Sequence, residues 1–270
     1  MILLHLAVAA LYVTCTWALW PDPATPQDRK SAAARVPVGG LLLLAVALHA
    51  WLALRDIISP GQLDLSLANT PSVVAWFVVV LAWSTGLLRT LPVVGAVILP
   101  IAAVASLVPV LWVNPHRFSY SGDPVAIAHI VIASIAYALF TIAAVQALVM
   151  LGLEKRLHRR VLDSDTGGMP PLLTLERVLF RLIATGFALL TLTLVSGMLF
   201  SEQIFGKPVT FTHKVVFSVL AWVTFGALLL GRVRYGWRGR VAVRWILTGT
   251  AFLFLAYIGY KFVLEVLLGR

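Results

Sequence analysis

The sequence predicts an all-α polytopic membrane protein, and three observations carry that expectation. Of 270 residues, 60% are apolar and only 12% are charged, against roughly 45–50% and about 25% in soluble domains. The mean hydropathy of +0.95 leaves too little polar surface to cover a water-soluble globule. The apolar residues also fall in long runs, each near the ~20 residues a helix needs to cross the hydrocarbon core. Those runs are too uniform for the alternation of a barrel strand. A soluble enzyme, a disordered chain and a disulfide scaffold are excluded together. The single cysteine, Cys15, lies inside an apolar run and offers neither an intrachain disulfide nor a Cys-based metal site.

About eight transmembrane helices are expected, at 1–20, 37–54, 72–88, 91–113, 125–153, 178–200, 215–231 and 245–266, in one integral membrane domain spanning 1–270. The first run, MILLHLAVAA, has no basic flank and no small-residue cleavage pattern, so it reads as a retained span and not a signal peptide. After the second span, GQLDLSLANTP reads as a short outer loop before the third. The fourth carries Pro100 and Pro109, which are expected to kink it. FSYSGDP is the next outer loop, and the fifth span follows it. DSDTGGMPPLL is the one long polar connection, its Gly-Gly and Pro-Pro pairs marking turns before the sixth span. The seventh opens after FTHK, and the eighth ends in YIGYKFVLEVLLGR.

Charge sets the expected orientation. Arg29, Lys30, Arg35, Arg89, Lys155, Arg156, Arg159, Arg160, Arg177, Arg181, Arg232, Arg234, Arg238, Arg240 and Arg244 fall on one side. Arg55, Arg117, Lys207, Lys214, Lys261 and Arg270 fall on the other, so the 21 basic residues divide fifteen to six. The positive-inside rule puts the larger set in the cytoplasm and both termini outside. The net charge of +10 therefore belongs to topology. EKRLHRR and RVRYGWRGR read as contacts to anionic lipid head groups, and no nucleic-acid partner is expected. Trp51, Trp76 and Trp112 near the outer interface, with Trp20, Trp237 and Trp245 near the inner one, form an aromatic belt.

In this frame five of the six histidines share the outer face, and only His158 is cytoplasmic. His5, His49 and His129 lie inside spans, roughly 6–8 Å below the outer boundary at 1.5 Å rise per residue. His116 sits in an outer loop, and His213 opens the seventh span beside Lys214. An ionisable group inside a span is costly unless it is paired or functional. Neutral imidazole is a common axial ligand of haem iron, and two from different helices can clamp it. His129 and His213 are thus the candidate ligands, with Arg55, Lys207 and Lys214 near enough to neutralise propionates. The bland alternative bonds His129 to a carbonyl or hydroxyl and lets Lys214 snorkel to the interface. No span holds two histidines and no C-x-x-C-H occurs, so neither a two-haem electron-transfer bundle nor covalent haem is expected. P-loop, zinc-protease and serine-hydrolase motifs are absent, and no outer-face carboxylate pair or nucleophile beside a base is visible.

Four segments in order, HIVIASIAYALFTIAAVQALVML, PPLLTLERVLFRL, SGMLFSEQIFGKPVTFTHK and VRYGWRGR, resemble the cytochrome c assembly membrane family. That haem-handling group includes CcsA, CcmC and the short YpjD-like bacterial inner-membrane proteins, which match best in length and layout. The family-like core covers about 125–266. The resemblance implies haem held at the outer face by histidines flanking a tryptophan-rich loop, and passed toward apocytochrome c. His129 takes the place of the family histidine before the basic cytoplasmic loop, and Lys214 that of the lysine ending the tryptophan-rich loop. His49 resembles the membrane-embedded histidines of larger members. Here the loop has no tryptophan, FTHK replaces a Trp-Asp-Pro-Lys run, and the last span lacks the outer histidine of larger members. His213 would then supply the second ligand, or the iron would be five-coordinate.

Two functions follow as expectations. One is a haem-binding accessory of cytochrome c biogenesis in the bacterial inner membrane, holding non-covalent haem b through His129, His213, Lys214 and His49. Its partners would be haem and apocytochrome c or other membrane proteins of biogenesis. The other is a non-enzymatic structural or regulatory subunit of a membrane complex or transporter that keeps the fold without haem.

Overall fold

A computed structural model describes residues 2–20, 32–59, 62–112, 117–119, 124–159, 172–200 and 212–263. The long helices are α1 (Ile2–Leu19), α2 (Ala32–Ile57), α3 (Asn69–Ser84), α5 (Pro92–Leu111), α6 (Pro124–Arg159), α7 (Leu172–Leu199), α8 (His213–Tyr235) and α9 (Gly239–Phe254). A four-residue α4 (Leu87–Thr90) precedes α5. α9 continues through a π-helical turn, Leu255–Gly259, into Tyr260–Phe262. Seven of these helices are long and apolar enough to cross a membrane, and α3, at 16 residues, is a shorter apolar helix.

The helices outrun the apolar runs. α2 begins five residues before the expected 37, α6 continues from 153 to Arg159, α7 starts at Leu172 instead of 178, and α9 at Gly239 instead of 245. Hydropathy marks the hydrocarbon core, but the backbone keeps its own hydrogen bonds in head-group water. Basic ends such as EKRLHR therefore stay helical. Pro100 and Pro109 both lie within α5, and Pro92 opens it at the first helical position, where its missing N–H costs nothing.

Both outer-loop expectations need correction. GQLDLSLANTP and the segment before the fifth span contain strands: All pair antiparallel with β2 central, and Leu63 stands opposite both Ile58 and Phe118. Strands of two or three residues show no readable alternation, and one pairing joins segments more than fifty residues apart in sequence. Asn69 ties the sheet to the bundle, its Nδ2 donating to the Asp56 carbonyl (3.4 Å) and the Asp64 carbonyl (3.3 Å).

α1 packs on α5 and α2, α3 lies between α5 and α6, and α6 packs on α7 and α9 with α8 against α9. Small residues let these helices approach. Phe140 of α6 and Phe225 of α8 stack at 3.8 Å and 17°. A Cβ on Gly186 of α7 would lie 3.1 Å from the first ring, and one on Gly249 of α9 2.8 Å from the second. Both glycines therefore clear volume for the aromatic pair, the packing logic of helices in lipid. Between α8 and α9, Gly236 takes φ 64° and the Trp237 N–H bonds Gly231 O at 3.2 Å. Trp237 then stacks on Trp245 at 5.1 Å.

Up-and-down connection places the starts of α1, α3, α6 and α8 and the ends of α2, α5, α7 and α9 at one end. His5, His49, His129 and His213 all lie there. The opposite end carries Arg177, Arg181, Arg232, Arg234, Arg238, Arg240 and Arg244 at the termini of α7, α8 and α9. There Arg232 faces Glu176 at 3.7 Å and Arg240 faces Glu154 at 3.3 Å. These are the histidine end and the arginine end. His116, Lys207 and Arg270 lie outside the described residues, as does most of the segment between Phe200 and Thr212.

Candidate functional site

The histidine end holds two polar clusters, one on α6–α9 and one on α1–α5. In the first, His129 sits in the second turn of α6, half-buried, and its Nδ1 is 2.9 Å from Ser196 Oγ near the end of α7. The Ser196 hydroxyl itself donates to Thr193 O at 3.2 Å. With its one hydrogen committed there, Ser196 Oγ accepts from His129 Nδ1–H, so Nε2 is the nitrogen that carries the lone pair. Gly197 makes room for this ring: a Cβ there would stand 3.2 Å from His129 Cε1. The Ser-Gly pair on α7 thus sets both the tautomer and the seat of one imidazole.

α8 contributes from its first turn. Lys214 is half-buried, with Nζ 5.8 Å from the centroid of the Tyr257 ring. It lies within electrostatic reach of His129 on one side and Lys261 on the other. His213, one residue earlier and about 100° around the helix, is exposed. Among the described residues no hydrogen bond or ion pair joins His213 to His129. The α8 residue turned toward His129 is therefore Lys214.

The second cluster is deeper. His49 is 1% exposed, with Nδ1 3.0 Å from the Tyr12 hydroxyl and Nε2 2.9 Å from Ser72 Oγ. Both nitrogens are engaged by protein groups, so a metal would have to displace a hydrogen bond to reach either. That is the geometry of a structural histidine joining α1, α2 and α3, in contrast with its expected place among the cofactor-binding residues. His5 is equally committed, its Nδ1 donating to Ser106 O of α5 at 2.7 Å and its Nε2 facing Asp56 Oδ2 at 3.2 Å. Arg55 lies over Trp51 at 5.9 Å on the same end of α2.

Several contributors were not singled out in the sequence: Ser196, Tyr257 and Lys261 in the first cluster, and Tyr12, Asp56 and Ser72 in the second. Only one carried a readable signal. Tyr257 and Lys261 are four residues apart near the outer end of the last span, a spacing that puts two polar-tipped side chains on one face. Hydroxyls such as Ser72 and Ser196 are too common in spans to stand out.

No three His, Cys, Asp or Glu residues gather as a metal site among the described residues. A haem needs less protein ligation, because the porphyrin supplies four of the iron's donors. The His129 seat suits that need: its tautomer is fixed, its ring is held against a glycine, and a cation lies beside it for an acidic edge.

The sequence comparisons bear on the same region. Residues 38–268 match the family model described as cytochrome C assembly protein, a match that starts well ahead of residue 125. The chain is 32% identical over 234 residues to the inner membrane protein YpjD of Escherichia coli strain K12, covering 83% of this chain and 85% of that protein. A 28.8 kDa protein encoded in the nifR3-like 5' region of Azospirillum brasilense is 38% identical over 141 residues, 52% of each chain. The cytochrome c biogenesis protein CcsA of Gloeobacter violaceus is 29% identical over 92 residues, 34% of this chain and 27% of that one. No solved structure matches the chain. With seven helices able to span a bilayer, this is a multi-pass protein of the bacterial inner membrane. It belongs to the cytochrome c assembly protein family.

Proposed function

We propose that this protein holds haem non-covalently at its histidine end and serves cytochrome c biogenesis. The carrying observation is the polarity of the His129–Ser196–Thr193 chain, which leaves Nε2 as the lone-pair nitrogen. His129 is then the axial ligand, and Ser196 holds its ring and tautomer as partners of metal-bound histidines do. Lys214 lies where it can meet a propionate, and Tyr257 lies under Lys214. When bound, the iron is a one-electron centre whose potential follows its axial ligand and burial. The excess of Arg and Lys at the other end supports an outer, periplasm-facing position for the site. His213, exposed beside Lys214, is the second ligand in a six-coordinate form and is dispensable in a five-coordinate one.

A second reading is a subunit that keeps the fold without haem. It is favoured by the absence of tryptophan from SEQIFGKPVTFT, the stretch leading into α8. Absorption spectra of the detergent-purified protein, oxidised and dithionite-reduced, separate the two. The haem reading expects a Soret band that is lost on changing His129 to Ala. A colourless protein that also fails to take up added haem would leave the subunit reading.

A further inference from the structure

The last helix brings a second cation and its support to the same site. In Leu255–Gly259 the helix widens to a π turn, a feature often found at functional positions. Tyr257, within that turn, donates its hydroxyl hydrogen to Leu65 O at 2.9 Å. Its oxygen then accepts from Thr70 Oγ1 at 2.7 Å. The ring is held edge-on by Tyr137 at 6.5 Å and 74°. The Tyr137 hydroxyl in turn donates to Leu253 O at 3.0 Å, just before the widened turn. Tyr257 is therefore fixed at its tip by α3 and the segment after β2, and along its edge by α6. Its π face is what Lys214 meets. Lys261 follows four residues later on the same helical face and lies within electrostatic reach of Lys214.

We infer that Lys214 and Lys261 together seat the acid groups of a dicarboxylate ligand with an apolar body, and that Tyr257 is the positioning residue that holds Lys214 for it. The inference rests on the haem reading for the identity of the ligand, but it concerns the acid edge alone and not the iron. Two like charges held close in a half-buried setting raise the local potential and favour a doubly anionic partner. Tyr257 does not itself bind the ligand, because its hydroxyl is already used twice.

Metal-free protoporphyrin IX, which carries both carboxylates and no iron, tests this with the detergent-purified full chain, read by porphyrin fluorescence. Its dimethyl ester is the control. The free acid should bind more tightly than the ester. Lys261→Gln and Lys214→Gln should each weaken the free acid by about 10- to 100-fold, the range of one charge-assisted hydrogen bond, and leave the ester unchanged. The Arg variants at both positions should restore much of the loss, which a merely packing role would not. Tyr257→Leu should match Lys214→Gln and add little to it in the double variant. His129→Ala should bind the free acid like the parent while losing haem, so failure of iron ligation and failure of the acid seat give different patterns. Equal binding of acid and ester, no binding of either porphyrin, or an unaffected Lys261→Gln protein would overturn the inference.

Discussion

Two histidines at one end of the bundle, His49 and His129, lie at comparable depth in sequence terms and do different work. His49 is sealed among three helices, with both nitrogens bonded to hydroxyls. His129 is half-buried, with one nitrogen bonded to a hydroxyl whose own hydrogen is spent elsewhere. The first arrangement closes a polar group inside lipid, where an unsatisfied donor or acceptor costs several kcal/mol. The second orients a lone pair. A histidine in a span is thus read by how many of its nitrogens the protein consumes and in which direction the protons run, more than by its depth.

The contrast can be broken or sharpened by substitution. Ser196→Ala takes the acceptor from His129 Nδ1–H and should lower haem affinity about 10- to 100-fold, the usual cost of losing such a partner. Ser72→Ala, the matching change beside His49, should leave haem titrations unmoved. Next in size, Asp56→Ala strips the partner from His5 Nε2 and should cost about 1–3 kcal/mol of stability. That loss would appear as a lower detergent melting temperature with an unchanged haem-to-protein ratio in the folded fraction. Gly249→Ala forces a Cβ to within 2.8 Å of Phe225 and should cost about 1–3 kcal/mol by overpacking, again without touching the site. Tyr12→Phe removes one hydrogen bond in the sealed cluster. It should cost only about 0.6 kcal/mol, the mean for such bonds within membranes, and thermal unfolding of the two proteins side by side reads it.

Much of the fold was legible because lipid imposes one strong rule: apolar runs of sufficient length become helices. The eight helices and the sharing of one end by the histidines of the spans followed from that rule. The helix ends did not, since residues such as Glu154 and Arg234 extend helices beyond the apolar core and hydropathy is blind to them. The three short strands escaped for lack of length, and β3 pairs with a strand distant in sequence. At the site, His129 and Lys214 could be picked out because ionisable groups in spans are rare. Ser196 and Gly197 could not, since their importance lies in a hydrogen-bond direction and a missing Cβ, which exist only once α6 and α7 are packed. His49 stood out by the same rarity that marked His129, and only the packing of Tyr12 and Ser72 around it tells the two apart.

The most direct measurement is haem content per folded chain, by pyridine haemochrome assay, in the parent, His129→Ala and His49→Ala proteins purified alike. The expected result is haem in the parent and in the folded fraction of His49→Ala, and none in His129→Ala. Haem retained by His129→Ala and lost from folded His49→Ala would reverse the assignment and place the ligand in the sealed cluster.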